Sequence, residues 1–135
     1  MESIHKTILY VEDDADDREF LSEALKEVNP DVEVVFAENG LKALDYLSTI
    51  KNNQSKLPCL IVLDINMPYL DGKETFRRIK SDSGLKDVPI VVFTSSRNPN
   101  DKALFNNSGI EFITKPDNFS FINTVASQMI NLCTC

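Results

Sequence analysis

The sequence predicts an α/β fold, a parallel β-sheet covered by helices on both faces. Three observations carry that expectation. Short apolar runs alternate with stretches of helical spacing five times along the 135 residues, the pattern of successive strand–helix units. Three of those runs, around residues 9, 61 and 91, are continuously apolar, as strands buried on both faces must be. The length suits one domain with a real core and is too short for two.

The first strand is read at "TILYV", residues 7–11. A helix follows from Ala15 to Glu27, with Phe20, Leu21, Ala24, Leu25 and Val28 as its apolar stripe. "VEVVF" (32–36) is the second strand, followed by Leu41, Leu44 and Leu47 at helical spacing, with Asn39 as N-cap. "CLIVL" (59–63) is the third, leading to Phe76 and Ile79; Asp71 and Glu74 have the spacing of an acidic capping box. "VPIVVF" (88–93) is the fourth, before a shorter, weaker helix near Asn100–Asn107. "GIEFIT" (109–114) is the fifth, and Ile122, Val125, Ala126, Met129 and Ile130 give the last helix its stripe. "NNQSKLP" (52–58) reads as a surface loop, and there is no repeat, linker or low-complexity segment. The expectation is a single domain over residues 1–135, with no second functional domain.

A hydrophobic fraction of 42% and a charged fraction of 26% are ordinary for a globular protein. A net charge of −7 argues against a basic nucleic-acid-binding surface. No apolar run approaches the roughly 20 residues that cross a bilayer, and "MESIHKTILY" makes a poor signal peptide. A cytoplasmic protein without nucleic-acid or membrane contacts is expected. Cys59, Cys133 and Cys135 are then expected to be reduced thiols without a role.

In an open parallel sheet, ligands bind beyond the carboxyl ends of the strands. Here the first strand ends in "VEDD" (11–14), the third in Asp64, the fourth in "FTSS" (93–96) and the fifth in "FITKP" (112–116). Only the second, ending at "AEN", brings no obvious chemistry. Each part has a bland local reading. The acids of "EDDADD" favour a helix N-terminus, and Asp16 and Asp17 are read as just such a solvated face. Thr94 and Ser95 suit a turn, Lys115 an ordinary surface position, and Asp64 a capping acid. Four such accidents at one sheet edge are hard to accept.

The set makes sense around a divalent cation and a phosphoryl group. Crowded carboxylates raise one another's pKa values, and a hard cation such as Mg²⁺ relieves this with carboxylates, a carbonyl and water. Glu12, Asp13, Asp64 and the backbone carbonyl of Asn66 are the expected ligands. Asp64 can then attack phosphorus to form an acyl phosphate. Lys115 would neutralise the arriving charge, and the Thr94 hydroxyl would donate a hydrogen bond.

From about Lys6 to Leu132 the chain resembles a receiver domain of the two-component response regulators, the family of the chemotaxis regulator. The motifs are the acidic pair in "YVEDD", "LDINMPYLDG", "VVFTSS" and the "KP" of "FITKPDNF". The resemblance implies a flavodoxin-like, doubly wound (βα)5 fold with strand order 2-1-3-4-5. It implies that Asp64 is the phosphoacceptor for a histidine kinase or a histidine phosphotransfer protein, with Mg²⁺ or Mn²⁺ as cofactor. Thr94 and Phe112 would be the switch pair, and the surface of the fourth helix, fifth strand and fifth helix would read out the change. Glu12 stands where Asp is frequent in the family, and Phe112 where Tyr is frequent. Within the family, the loop at 52–58 and the "KPDNF" ending hint at the stand-alone regulators that serve phytochrome-type sensor kinases. A terminal effector and a phosphorelay intermediate both stay open, as do a homodimer and the identity of the downstream partner.

Three rival readings fit these residues less well. A haloacid-dehalogenase-like phosphatase needs a second Asp two residues after its nucleophile, and this chain has Asn66 there. A flavodoxin-like electron carrier needs a phosphate-cradling loop where this chain has Glu12, Asp13 and Asp14. A degenerate receiver serving only as a binding module would not need Asp64, Thr94 and Lys115 intact. A signalling switch rather than an enzyme acting on other substrates is the expectation.

Overall fold

A computed structural model describes residues 6–53, 56–67, 70–116 and 121–133. Pro68 and Tyr69 of "MPYLDG", Asp117, Asn118 and Phe119 of "KPDNF", and Cys135 lie outside the described residues. Five strand–helix units run in order: β1 (Lys6–Val11), α1 (Ala15–Val28), β2 (Val32–Ala37), α2 (Gly40–Ile50), β3 (Leu60–Leu63), α3 (Gly72–Ser81), β4 (Ile90–Thr94), α4 (Pro99–Asn107), β5 (Glu111–Thr114) and α5 (Ile122–Leu132). The strands form one sheet in the order β2-β1-β3-β4-β5, and every pairing is parallel. This is the doubly wound architecture the sequence predicts.

Alternation along the strands divides the core in two. Leu9, Val11, Ile61, Leu63 and Val92 face Ala43 and Leu47 of α2, Ile79 of α3 and Phe105 of α4. Their neighbours Ile8, Tyr10, Val62, Val91 and Phe93 face Leu21 and Leu25 of α1 and Ala126 and Met129 of α5. Because side chains alternate along a strand, each central strand must be apolar at every position. Hence β1 from Ile8 onward, β3 and β4 are wholly buried.

The helix starts follow their capping residues. Asp14 Oδ1 accepts from the backbone N–H groups of Asp16 (2.9 Å) and Asp17 (3.1 Å). Asn39 and Asp71 cap α2 and α3 through the N–H of Lys42 and of Glu74, each at 2.9 Å. The capping box at α3 is half realised, since the Glu74 carboxylate turns to Arg77 and Arg78 instead. The fourth helix begins at Pro99 rather than Asn100, with Asn98 as its cap; proline is preorganised for that first position.

The stripes are narrower than expected. Phe20, Val28 and Leu41 are exposed, while Leu21, Ala24, Leu25, Ala43 and Leu47 carry the burial. The thiol expectation is corrected for Cys59 and Cys133, which are joined as a disulfide with Cα atoms 4.9 Å apart. Cys59 precedes β3 and Cys133 caps α5, and α5 packs on the sheet face where that strand starts. The pairing is therefore a product of the fold and has no local signature.

Candidate functional site

Three strands extend their hydrogen-bonding by one rung to fix the polar residues that follow them. The Glu12 N–H donates to the Ala37 carbonyl (2.9 Å), the Asp64 N–H to the Val11 carbonyl (3.2 Å), and the Lys115 N–H to the Thr94 carbonyl (2.7 Å). The backbone positions of Glu12, Asp64 and Lys115 are thus set by the rigid sheet. Thr94 closes β4 and is fully buried. Its Oγ1 accepts a weak bond from the Ser96 N–H at 3.3 Å.

The turn after Asp64 is held just as closely. The Asn66 N–H donates to Asp64 Oδ1 at 3.1 Å. The chain returns at Gly72, whose N–H donates to the Ile65 carbonyl at 3.3 Å. A side chain at position 72 would overlap the Asp64 carbonyl and the Ile65 Cα. Glycine is needed there because α3 starts against the backbone of the acid itself.

Oxygens of Glu12, Asp13 and Asp64 all lie within 4.8 Å of one another. Glu12 and Asp64 are buried and Asp13 is exposed, so the cluster opens to solvent on one side. Glu12 is heavily engaged by the protein. Its Oε1 accepts from Lys115 Nζ (2.5 Å) and the Tyr10 hydroxyl (3.3 Å), and its Oε2 from the Asp14 N–H (3.2 Å). Burial first, and the charge of Asp64 second, push the Glu12 carboxyl up to about 8 against the opposing pull of Lys115. Burial works against the Lys115 ammonium, yet the bonds it donates to Asp17 and Glu12, with the charges of Asp64 and Glu12, outweigh it and hold it above its usual range. Lys115 pulls the Glu12 carboxyl down, and burial together with the charge of Asp64 prevails. Such a donor set of hard oxygens, short of positive charge, fits a divalent cation.

Lys115 Nζ also donates to Asp17 Oδ2 at 2.7 Å and to Asp64 Oδ2 at 3.3 Å. The reading of Asp17 as part of a solvated face is therefore corrected: its side chain is only 21% exposed and ion-paired. Its place in the first turn of α1 already accounts for an acid, so nothing local marks the pairing. Phe112 on β5 is half-buried, with its ring 6.2 Å from that of Phe105.

Comparison with known proteins identifies the family. Residues 8–126 match the family model of the response regulator receiver domain. The chain belongs to that family. It is 39% identical over 97 residues to response regulator Rcp1 of Synechocystis sp., a match covering 71% of this chain and 66% of that protein. Among solved structures, the phosphorylated cyanobacterial phytochrome response regulator RcpA superposes with a TM-score of 0.82 at 33% identity. That match covers 96% of the present receiver and 97% of RcpA. The Mn²⁺-bound form of Rcp1 gives a TM-score of 0.80 at 33% identity, covering 91% of this chain and 90% of that one. No helix among the described residues is long and apolar enough to cross a membrane.

Proposed function

We propose that this receiver domain is a phosphorylation-activated switch of a two-component or phosphorelay system, with Asp64 as its phosphoacceptor. One observation carries the reading. Lys115 Nζ stands 3.3 Å from Asp64 Oδ2, beside three carboxylates whose oxygens gather within 4.8 Å.

A donor histidine kinase, or a histidine phosphotransfer protein, presents a phosphohistidine. An Asp64 oxygen attacks phosphorus, a P–O bond forms, and the P–N bond breaks with its electron pair leaving on the imidazole. Lys115 meets the arriving phosphoryl oxygens, and the Thr94 hydroxyl donates to them. Glu12, Asp13, Asp64 and the Asn66 backbone carbonyl would hold Mg²⁺ or Mn²⁺. When bound, the cation neutralises the crowded oxygens and shields the phosphoryl charge.

The readout follows from charge. A monoanionic carboxylate becomes an acyl phosphate carrying about two negative charges, which draws Thr94 and Lys115 toward it. Phe112 and the segment after Thr94 then repack, altering the face of α4, β5 and α5. Phe121, just before α5, is an exposed apolar group of the kind suited to a protein partner.

Acetyl phosphate or phosphoramidate with Mg²⁺ should add one phosphate to the wild type, read by intact mass. Asp64→Asn should abolish the gain. An unmodified wild type, or labelling of Asp64→Asn at the same rate, refutes the assignment.

A further inference from the structure

The Lys115 ammonium has three N–H donors, and three carboxylates take them. Glu12 is at 2.5 Å, Asp17 at 2.7 Å and Asp64 at 3.3 Å. The longest of the three is the one to the proposed phosphoacceptor. The lysine therefore leans toward Glu12 and Asp17, away from the oxygen whose phosphorylated form it must serve.

Glu12 and Asp17 differ in what becomes of them. Glu12 belongs to the carboxylate trio that fits a cation, whereas Asp17 does not. A cation held by that trio would draw on the Glu12 carboxylate and weaken its hold on Lys115, leaving that of Asp17 intact. Asp17 sits in the first turn of α1, its backbone N–H fixed at 3.1 Å to Asp14 Oδ1. That helix is anchored through Leu21 and Leu25, both fully buried. The backbone of Asp17 therefore stays in place when the lysine moves.

We infer that Asp17 is a positioning residue that holds Lys115 back from Asp64 and so sets how readily the lysine crosses to the phosphoryl group. This rests on Asp64 being the phosphoacceptor. Two charge-assisted acceptors compete for one ammonium, and phosphorylation wins by doubling the charge on one of them. Removing Asp17 removes the competitor, so the phosphorylated arrangement gains.

The test uses the whole chain with Mg²⁺ and beryllofluoride, a phosphoryl mimic, titrated by calorimetry. Asp17→Asn should bind the mimic about two- to fivefold more tightly than wild type, the range expected for losing one partly exposed ion pair. Asp17→Glu keeps the charge and should return toward wild type. Asp16→Asn removes an equal charge from the same turn without touching Lys115, and should change nothing. Should Asp17→Asn fail to fold, judged by its melting curve, Asp17→Ser takes its place. Unchanged or weaker binding on loss of Asp17, or an equal gain in Asp16→Asn, overturns the inference while leaving the phosphoacceptor intact. A folded wild type that binds no mimic overturns both.

Discussion

Gly72 shows how strictly single side chains are constrained here. Its N–H reaches Ile65 at 3.3 Å, and the space for a side chain is already filled by backbone of Asp64 and Ile65. Neither obstacle is the flexible end of a side chain, so the chain itself would have to shift. Gly72→Ala is expected to lower stability by about 1–3 kcal/mol, the usual cost of overpacking, measured by urea denaturation. It should also slow phosphorylation by acetyl phosphate, because the shift passes directly to Asp64. Normal stability with a normal rate would show that the turn yields without consequence. The need for glycine is invisible in "LDG" as a string, whereas the acid and the capping Asp71 beside it were legible. Asp71 acts on its own helix, but Gly72 answers to a strand end eight positions earlier.

The fourth helix and its leading loop form the element that the proposed switch would move. Asp101 joins them: Oδ2 accepts from Ser96 Oγ at 2.7 Å, and Oδ1 pairs with Lys73 of α3 at 2.6 Å. The Lys73 ammonium first, and the Ser96 hydroxyl second, hold the Asp101 carboxyl below the usual carboxylate range. A carboxyl lowered on folding stabilises the protein above its unfolded value near 3.9. That contribution is lost as pH falls through the lower folded value. Asp101→Asn should therefore melt below wild type at pH 7, and the gap should close as pH drops below about 4. Thermal denaturation across that range reads both. A constant gap would mean that the contact acts without its charge. The sequence marks α4 as the weakest helix, with its sparse apolar spacing, and the structure ties down its start with polar contacts.

Across the molecule, the two faces of the sheet are built from different helices, and the disulfide belongs to the α1 and α5 side. It spans 74 residues from Cys59 to Cys133. In the chain-entropy view, closing so long a loop stabilises by about 4 kcal/mol. Reduction by a thiol reagent, or Cys133→Ser, should lower the denaturation midpoint by up to that amount and leave the sheet and Asp64 phosphorylation unchanged. An unaltered midpoint would mean that the pair rests as two thiols in solution. A reducing compartment would hold it in that form, with packing of Ala126 and Met129 left to keep α5 in place.

The linear order of residues carried the fold because its message is periodic: strands buried on both faces must be apolar throughout, and helices must repeat every three to four residues. It carried Glu12, Asp13, Asp64, Thr94 and Lys115 because each ends a strand, and parallel strands deliver their ends to one edge. The contact of Asp17 with Lys115 and the union of Cys59 with Cys133 needed the folded chain. Each joins residues far apart in sequence, and in each a sufficient local explanation already existed, an acid at a helix start and a thiol on a strand edge. A residue's local fit conceals its distant partner, and packing alone decides which residues meet.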